Sequence, residues 1–576
     1  MAEIEQNVKY PTSTSDIEGY TRIKNVYIKM RDGIELCADV FLPFSASKDV
    51  NTVPVICSLG PYGKDIPVLE FGLPETSMYA DMYKRIKPLG PDACFELADP
   101  ILWTKEYGYA LVRVDSRGIG GSQGRLDPFG LERSLQLQTD AEGLDLYDVI
   151  EWAGAQSWSS GKVGLSGISY YGMCGYWAAM QKPPHLACIV SYEAAVDKYQ
   201  ADRKGGIFGA KFQPHWYNNI VVPYQAGRAN GRLNPEQLTA NRADYPTLVS
   251  KDEYPDGEVW RILKETRRLS DIEVPFYLAG NWTDCELHLP GNIRAYNGIS
   301  SKQKWLEMHT GNHLAWYHDK DHVVLQKKFF DYFLKGDKNS GILSVPRIRL
   351  IQHRSTGRFY REGEEAFPPP DAEDVAFYIT PSQTLSLNQP VDERKSFVYE
   401  GLTGTITFEL ESNFTESFEL MGTPYVELEV ATEAEDQDIF LTLRAFDKDG
   451  KVIILEGNHS EPNEHFAKGF FRLSHREEIH AGFKAQRVKV PSQPLVPRSA
   501  VEKGKIYSVT IPFLPAAFLF EKGQKLSLEI GAQNTASTIP PMRHDGGERN
   551  PERFGGKNTI VSHGKLVLPR IKRPIP

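Results

Sequence analysis

Short apolar strands alternate with helical segments through the first third of this 576-residue chain. Strand-like runs at residues 53–59, 110–114 and 162–165 alternate with an amphipathic segment at 140–153 and a segment rich in small and aromatic residues at 171–180. Buried strands that alternate with helices pack as a parallel sheet covered on both faces. The pattern therefore predicts an α/β domain.

Two later regions have a different character. Residues 198–269 hold Trp216, Tyr217 and a helix-like segment at 259–268, so we expect a helical cap inserted over the sheet, with the α/β pattern returning at 276–279. From about residue 341, alternating segments such as 424–431 and 525–531 are separated by Gly, Asp, Asn and Pro turns. This alternation is typical of an antiparallel β-sandwich or jelly roll.

The expected division is therefore into three parts. Residues 1–197 and 270–340 form the catalytic α/β domain, residues 198–269 the cap, and residues 341–576 the C-terminal sandwich. A chain of this length divides into two or three domains in any case.

The composition of the chain indicates which partners and which cellular compartment to expect. A net charge of −9 gives no general electrostatic basis for binding nucleic acid. The six cysteines show no CxxC pair and none lies after Cys285, which favours free thiols in a reducing, cytoplasmic environment. Residues 1–20 lack the apolar core of a signal peptide, and no run of about 18 apolar residues exists to span a membrane.

A strand, a tight turn and a helix follow one another at residues 163–172, which is the context of a nucleophile elbow. Ser169 has Gly167 two residues before it, but the next glycine, Gly172, lies three residues after it rather than two. Ser166 is a rival nucleophile, although it falls at the end of the strand. We favour Ser169, and with it an α/β-hydrolase fold.

Two downstream loops supply the partners that a nucleophilic serine needs. Asp284 follows the apolar strand at 276–279, and His313 follows the strand-like segment at 304–309. The order Ser, Asp, His along the chain is that of the α/β-hydrolases. We expect His313 to act as the base and Asp284 to orient it. His309 and His318 are competing bases.

The negative charge that develops on the substrate carbonyl oxygen needs preorganised donors. One is expected to be the backbone N–H of Tyr170, directly after the nucleophile. The second is expected from the loop after the strand at 53–59, which contains Tyr62.

At these residues the chain resembles the cocaine esterase and X-Pro dipeptidyl-peptidase family of hydrolases. The resemblance covers nearly the whole sequence, including Asp32-Gly33, Pro61-Tyr62, Asp115-x-Arg117-Gly118-x-Gly120-Gly121-Ser122, Gly167-Ile-Ser169-Tyr170-Tyr171-Gly172, Gly280-x-x-x-Asp284, residues 330–336, Gly469-x-x-Arg472-x-Ser474-His475 and residues 562–569. It implies a catalytic domain, a helical cap and a jelly roll, and it is consistent with a homodimer. It also implies the glycine at +3 and a tyrosine hydroxyl in the oxyanion hole, which maps to Tyr62.

Two departures from the family lie beside the expected site. Residues 309–312 read His-Thr-Gly-Asn where members commonly have a Gly-Pro-Trp approach to the histidine, and Cys285-Glu286 follow the aspartate where a small residue is common. Both are expected to affect the substrate preference rather than the triad.

Four aromatic residues are candidates for the acyl site: Trp216, Tyr217, Trp282 and Tyr170. The alternative is that they only pack the cap on the sheet. A large apolar pocket suits bulky acyl or aryl esters and amides. We expect no cofactor and no metal ion.

Removal of X-Pro dipeptides requires an acidic group for the free amine, and Glu286 is the only obvious local candidate, although it is equally a surface residue. We therefore expect an esterase or acyl hydrolase acting on a small molecule rather than an X-Pro aminopeptidase. Acyl transfer or cyclisation through the same acyl-enzyme is a further alternative. A ligand-binding protein without catalysis is a remote one.

Overall fold

The computed structural model describes residues 9–17, 19–47, 51–71, 82, 86, 89–227, 234–289, 291–355, 357–391, 393–477 and 499–575. The predicted α/β architecture is confirmed. Its strands are β1 (Ser13–Ile17), β2 (Tyr20–Lys29), β3 (Glu35–Pro43), β4 (Val53–Gly60), β5 (Ala110–Asp115), β6 (Ser159–Ile168), β7 (Leu186–Tyr192), β8 (Arg203–Lys204), β9 (Ile207–Phe208), β10 (Phe276–Asn281), β11 (Lys304–His309), β12 (Ile348–Arg354) and β13 (Gly357–Glu362).

Parallel pairing joins β5, β4, β6, β7, β10, β11 and β12 in that order. β3 continues the sheet antiparallel to β5, followed by β2 and β1, and β13 pairs antiparallel with β12 at the other end. The parallel strands therefore end at one edge of the sheet, where their loops meet.

Helices cover this sheet and fill the region expected to be the cap. Those of the catalytic part are α1 (Phe44–Ser47), α2 (Leu131–Leu137), α3 (Ala141–Gly154), α4 (Ser169–Gln181), α5 (Lys198–Asp202), α6 (Phe212–Trp216), α7 (Pro235–Ala240), α8 (Tyr245–Lys251), α9 (Glu258–Thr266), α10 (Gly291–Gly298), α11 (Ala315–His318) and α12 (Lys320–Phe330). Five of these, α5 to α9, lie within residues 198–269, together with the short hairpin β8–β9. The boundaries proposed for the three domains stay a prediction.

The C-terminal part is built mainly from antiparallel strand pairs, as the alternation predicts. The strands are β14 (Glu373–Ile379), β15 (Thr384–Ser386), β16 (Ser396–Glu400), β17 (Thr405–Leu410), β18 (Phe418–Gly422), β19 (Tyr425–Thr432), β20 (Asp438–Phe446), β21 (Leu455–Glu456), β22 (Pro462–Asn463), β23 (Ala467–Arg472), β24 (Tyr507–Pro512), β25 (Ala516–Phe520), β26 (Lys525–Gly531) and β27 (Lys557–Ile571), with one short helix, α13 (Pro551–Phe554). One layer is organised around β27, which pairs with β14, β16, β18 and β19. The other is the series β15–β17–β26–β20–β23, in which β15 and β17 form a parallel pair. A separate hydrophobic core fills the space inside this sandwich.

A buried arginine joins the sandwich to the cap region. The guanidinium of Arg472 binds Asp438 at 2.8 Å, Glu548 at 2.7 Å and Glu253 at 2.9 Å. Arg472 and Asp438 are fully buried. A buried cation is tolerated only when its partners replace the lost water, so these carboxylates fix the sandwich against α8–α9.

The corner between β6 and α4 has the geometry of a nucleophile elbow. Ser169 is the first residue of α4 and has φ +52°, a left-handed conformation that costs energy for a residue with a side chain. A Cβ on Gly167 would lie 2.2 Å from the Cβ of Tyr171, and one on Gly172 would lie 2.8 Å from the carbonyl oxygen of Tyr192. The glycine at +3 is thus required because α4 begins directly against β7.

This close approach predicts the effect of enlarging Gly172. Although alanine is the better helix former, Gly172→Ala should destabilise the fold by about 1–3 kcal/mol, the usual cost of overpacking. Gly336→Ala is the control, because Gly336 has φ +74° but open space around it, so that only backbone strain of about 1 kcal/mol is added. Denaturant unfolding measures both, and a Gly172→Ala protein as stable as the parent would contradict the packing argument.

Candidate active site

The hydroxyl of Ser169 is hydrogen-bonded to a histidine, but to one that sequence reasoning missed. Its Oγ lies 2.9 Å from Nε2 of His288, and Nδ1 of the same imidazole is hydrogen-bonded to Oδ2 of Asp284. Asp284 and His288 both belong to the loop that follows β10, and both are buried. Ser169, His288 and Asp284 therefore form a continuous hydrogen-bonded chain of the kind that nucleophilic catalysis by serine requires.

His313, the expected base, lies beside this chain rather than in it. Its ring stacks on that of His288 with the centroids 5.4 Å apart and the planes 11° from parallel. Nδ1 of His313 lies 2.6 Å from Glu193 Oε2, and Nε2 lies 3.2 Å from Glu96 Oε1. The expected arrangement is corrected in this respect, because both nitrogens of His313 are engaged by carboxylates while His288 occupies the position next to Ser169.

Two local signals in the sequence could have pointed to these residues. Asp284 and His288 are four residues apart, a spacing that one helical turn or a compact loop can bring together. Glu193 directly follows β7, at the sheet edge where the loops of the parallel strands meet. Glu96 carries no comparable signal, since it precedes β5 in an irregular segment.

Electrostatics divide the two histidines into different protonation states. Burial lowers the pKa of His288, and the neighbouring charge of His313 adds to that effect, while Asp284 opposes it. Burial also acts to lower the pKa of His313, but the charges and hydrogen bonds of Glu193 and Glu96 outweigh it and hold that pKa well above the ordinary value. Near neutral pH, His288 is therefore a neutral base and His313 an imidazolium.

The pKa values of the neighbouring carboxylates shift in opposite directions. Burial raises the pKa of Glu96 and of Glu193 to about 7, against the opposing influence of His313. Burial would likewise raise the pKa of Asp284, yet the charge and hydrogen bond of His288 hold it below the ordinary value. Asp284 is thus the carboxylate that stays ionised as the partner of the base.

The two expected oxyanion donors lie at the same cleft. Tyr62 follows β4 and lines the cleft together with Ser169. Its hydroxyl oxygen accepts a hydrogen bond from Nε1 of Trp216 at 3.0 Å, so this bond does not use the proton of the hydroxyl. The hydroxyl of Tyr170 donates to Glu142 and accepts from the backbone N–H of Phe129, which leaves its backbone N–H as the expected donor to substrate.

The cleft over Ser169 measures about 660 Å³ when counted out to open solvent. Most of its wall is apolar, and a turn of the sandwich that contributes Asn458 and His459 closes part of it. Its aromatic lining residues are Tyr62, Phe95, Phe129, Tyr170, Phe212 and Trp216.

Of the five residues predicted to contact substrate, Trp216 and Tyr170 line this cleft and three do not. The Tyr217 hydroxyl donates to the carbonyl of Ala243, and the Trp282 indole donates to the carbonyl of Ile351. Glu286 is neither exposed nor at the cleft, because its carboxylate forms a buried ion pair with Lys468. The expected lining is corrected accordingly, since these side chains are used in packing.

The sandwich also positions the loop of His313. The backbone N–H of His313 donates to the carbonyl of Asn458 at 2.8 Å, and Nδ2 of Asn312 donates to Oγ of Ser460 at 2.8 Å. The active site is therefore assembled from both parts of the chain.

The rivals named from the sequence have other partners. The Ser166 hydroxyl lies 2.8 Å from that of Tyr317. His309 ends β11 and lies 3.3 Å from Glu193 Oε1, while burial lowers the pKa of His318 to about 4. None of these three side chains is hydrogen-bonded to Ser169 in the described part of the chain.

Two carboxylates and two imidazoles come close enough to share an ion. The ligand atoms of Glu193, Asp284, His288 and His313 all lie within 4.8 Å of one another. Such donors suit Zn²⁺ and related cations. Within this group Asp284 is already hydrogen-bonded to His288, and Glu193 to His313.

Comparison with known proteins identifies the family of this chain. The sequence model of the X-Pro dipeptidyl-peptidase (S15 family) matches residues 32–315, and that of the X-Pro dipeptidyl-peptidase C-terminal non-catalytic domain matches residues 340–566. The chain is similar to the cocaine esterase of Rhodococcus sp. (strain MB1 Bresler), with 23% identity over 89% of this chain and 91% of that protein.

Solved structures show the same fold. A CocE/NonD family hydrolase from Staphylococcus aureus superposes with a TM-score of 0.82 at 23% identity, covering 98% of each chain. An α-amino acid ester hydrolase gives a TM-score of 0.67 at 16% identity, covering 99% of this chain and 100% of the other.

The fold and the buried Ser–His–Asp chain define a serine hydrolase. The protein belongs to the cocaine esterase and X-Pro dipeptidyl-peptidase family. Among the described residues, no helix is both long enough and apolar enough to cross a membrane.

Proposed function

We propose that this hydrolase is an esterase or acyl hydrolase for small and medium-sized organic substrates, with Ser169 as nucleophile and His288 as base. The observation that carries the proposal is the 2.9 Å contact between Ser169 Oγ and His288 Nε2, backed by Asp284. His288 takes the serine proton during attack and returns it to the leaving group. Asp284 holds the imidazole with Nδ1 protonated and stabilises the imidazolium that forms.

The tetrahedral intermediate is stabilised by two donors in this proposal. The hydroxyl of Tyr62 and the backbone N–H of Tyr170 donate to the oxyanion, and the loss of one such donor typically costs about 3 kcal/mol of barrier. His313 contributes as a fixed cation behind the base rather than as a proton acceptor, because Glu193 and Glu96 bind both of its nitrogens.

Charge pairing around the cleft supports ester substrates over peptides with a free amine. An aminopeptidase must offer the ammonium group an uncompensated acceptor. Of the carboxylates that line the cleft, Asp202 is paired with Lys198, and Glu96 shares the imidazolium of His313 with Glu193. Glu286 is neutralised by Lys468. Bulky acyl or aryl groups suit the aromatic walls.

Acyl transfer and X-Pro aminopeptidase activity remain the alternatives, because both use the same acyl-enzyme. A panel of p-nitrophenyl acyl esters and X-Pro p-nitroanilides separates peptidase from esterase. Partition of the acyl group between water and added alcohols separates transfer from hydrolysis.

The expectations of a cytoplasmic location, a homodimer and no affinity for nucleic acid stay predictions. All six cysteines are free and buried, which supports a reducing compartment.

The nucleophile is tested by Ser169→Ala. We expect kcat to fall on the order of 10⁶-fold, while circular dichroism and the melting temperature stay near those of the parent. A fluorophosphonate should label the parent at Ser169 and leave the variant unlabelled, as read by peptide mass spectrometry. An adduct at Ser166, or turnover in the variant, would contradict the assignment.

The base is tested by two matched substitutions. His288→Gln should lower kcat by at least about 10⁴-fold, because no imidazole then contacts the nucleophile. His313→Gln should lower kcat far less than His288→Gln, because it changes the charge beside the base and leaves the proton acceptor in place. The reverse ranking, with folded variants, would restore His313 as the base.

The pH profile follows from the directions of the pKa shifts. His288 must be neutral to act, so kcat/KM falls as the pH drops through its pKa, which burial and His313 place below the ordinary value of 6.5. His313→Gln removes the neighbouring positive charge, so the acid limb should move to higher pH. A limb unchanged in this variant would show that the two rings are not coupled.

A further inference from the structure

A buried ion pair stands in the wall of the substrate cleft, and the proposed chemistry does not use it. Lys198 and Asp202, both on α5, line the cleft, and Nζ of Lys198 is hydrogen-bonded to both carboxylate oxygens of Asp202. The side chains of Lys198 and Asp202 are 6% and 0% exposed. An ion pair in such a place costs desolvation energy that a hydrophobic pair would not.

The carboxylate of this pair is held from behind. Nε2 of Gln213 donates to Asp202, and the hydroxyl of Tyr245 donates to Oε1 of Gln213 at 2.7 Å. Gln213 also lines the cleft. This chain of hydrogen bonds, from Tyr245 through Gln213 to Asp202, therefore fixes the position of the Lys198 ammonium.

Two aromatic rings flank the ammonium, and one of them belongs to the cleft. Nζ of Lys198 lies 4.6 Å from the ring centroid of Phe129 and 5.5 Å from that of Tyr245. Phe129 is itself part of the cleft wall. An ammonium has three N–H donors, and two serve Asp202, so one more can serve a ligand.

We propose that Lys198 donates a hydrogen bond to a neutral oxygen acceptor, such as a ketone carbonyl, carried by the part of the substrate that fills the aromatic cleft. The preferred substrates are thus oxygenated acyl esters rather than plain alkyl esters. This inference rests on the proposed esterase function and specifies its substrate class. A carboxylate group is not favoured, because Asp202 already compensates the charge of Lys198.

Matched esters test this selectivity without reference to absolute activity. We compare kcat/KM for p-nitrophenyl 4-oxopentanoate with that for the isosteric 4-methylpentanoate, and for 5-oxohexanoate with 5-methylhexanoate. The same comparison with 4-oxopentyl and 4-methylpentyl butyrates covers the alcohol side of the scissile bond. In at least one series the ketone should be favoured by about tenfold, as expected for a hydrogen bond to a charged donor.

The double variant Lys198→Met/Asp202→Asn removes both charges, so that no unpaired carboxylate is left buried. In this variant the ratio of kcat/KM for the ketone ester to that for its methyl isostere should fall to about onefold, whatever the absolute rates. Lys211→Met is the control, since Lys211 pairs with Asp545 and is absent from the cleft wall. It should retain the preference.

Binding to Ser169→Ala separates this inference from the proposed function. Calorimetry on that variant should give tighter binding of the ketone ester than of its methyl isostere, whether or not the parent turns either ester over. Equal affinities, no preference in any series, or a preference that survives in the folded double variant would overturn the role of Lys198. If p-nitrophenyl monosuccinate were preferred over the ketone esters, the claim that Lys198 binds a neutral acceptor would be wrong.

Discussion

The active site depends on one arrangement: a neutral imidazole held between a strained serine and a buried carboxylate, with a second, charged imidazole stacked behind it. Ser169 can project its hydroxyl because the chain adopts φ +52° at the start of α4. In the proposed mechanism His288 accepts the serine proton, and burial together with the adjacent cation favours its unprotonated form. Without the first condition the serine hydroxyl would not project towards the base. Without the second, the base would already carry a proton.

Burial of the second imidazole, that of His313, costs desolvation free energy. His313 brings a positive charge into a site where Glu193 and Glu96 must also be buried, and the group is tolerated because the one imidazolium contacts both carboxylates. These residues come from three separate loops, and the sandwich holds one of them through Asn458. The C-terminal part therefore contributes to the geometry of the active site. The buried ion pairs of Arg472 hold it in place against the cap region.

The features that could be predicted from the sequence are those with local causes. Strand periodicity located β4, β5, β6 and β10 within a few residues. Gly167 helped to identify the elbow because it is required by its contact with Tyr171, four residues along the chain. The alternation after residue 341 was sufficient for the sandwich.

The features that could not be predicted depend on contacts between distant loops. Two histidines, His288 and His313, reach the same place, and only the tertiary arrangement decides which one faces Ser169. The same holds for the substrate cleft. Trp282 and Glu286 were predicted to contact substrate because each lies two residues from Asp284. A side chain two residues along a loop can nevertheless point to the opposite side. Lys198 and Asp202 gave no signal, since a Lys and an Asp four residues apart usually form an exposed helical pair.

A crystal structure of the enzyme inhibited by an arylboronic acid tests the central claim most directly. The account predicts a bond from boron to Ser169 Oγ, one boronate oxygen bound by the Tyr62 hydroxyl and the Tyr170 N–H, and His288 Nε2 at hydrogen-bond distance from the adduct, with His313 still between Glu193 and Glu96. An adduct contacted by His313, with His288 turned away from Asp284, would contradict it.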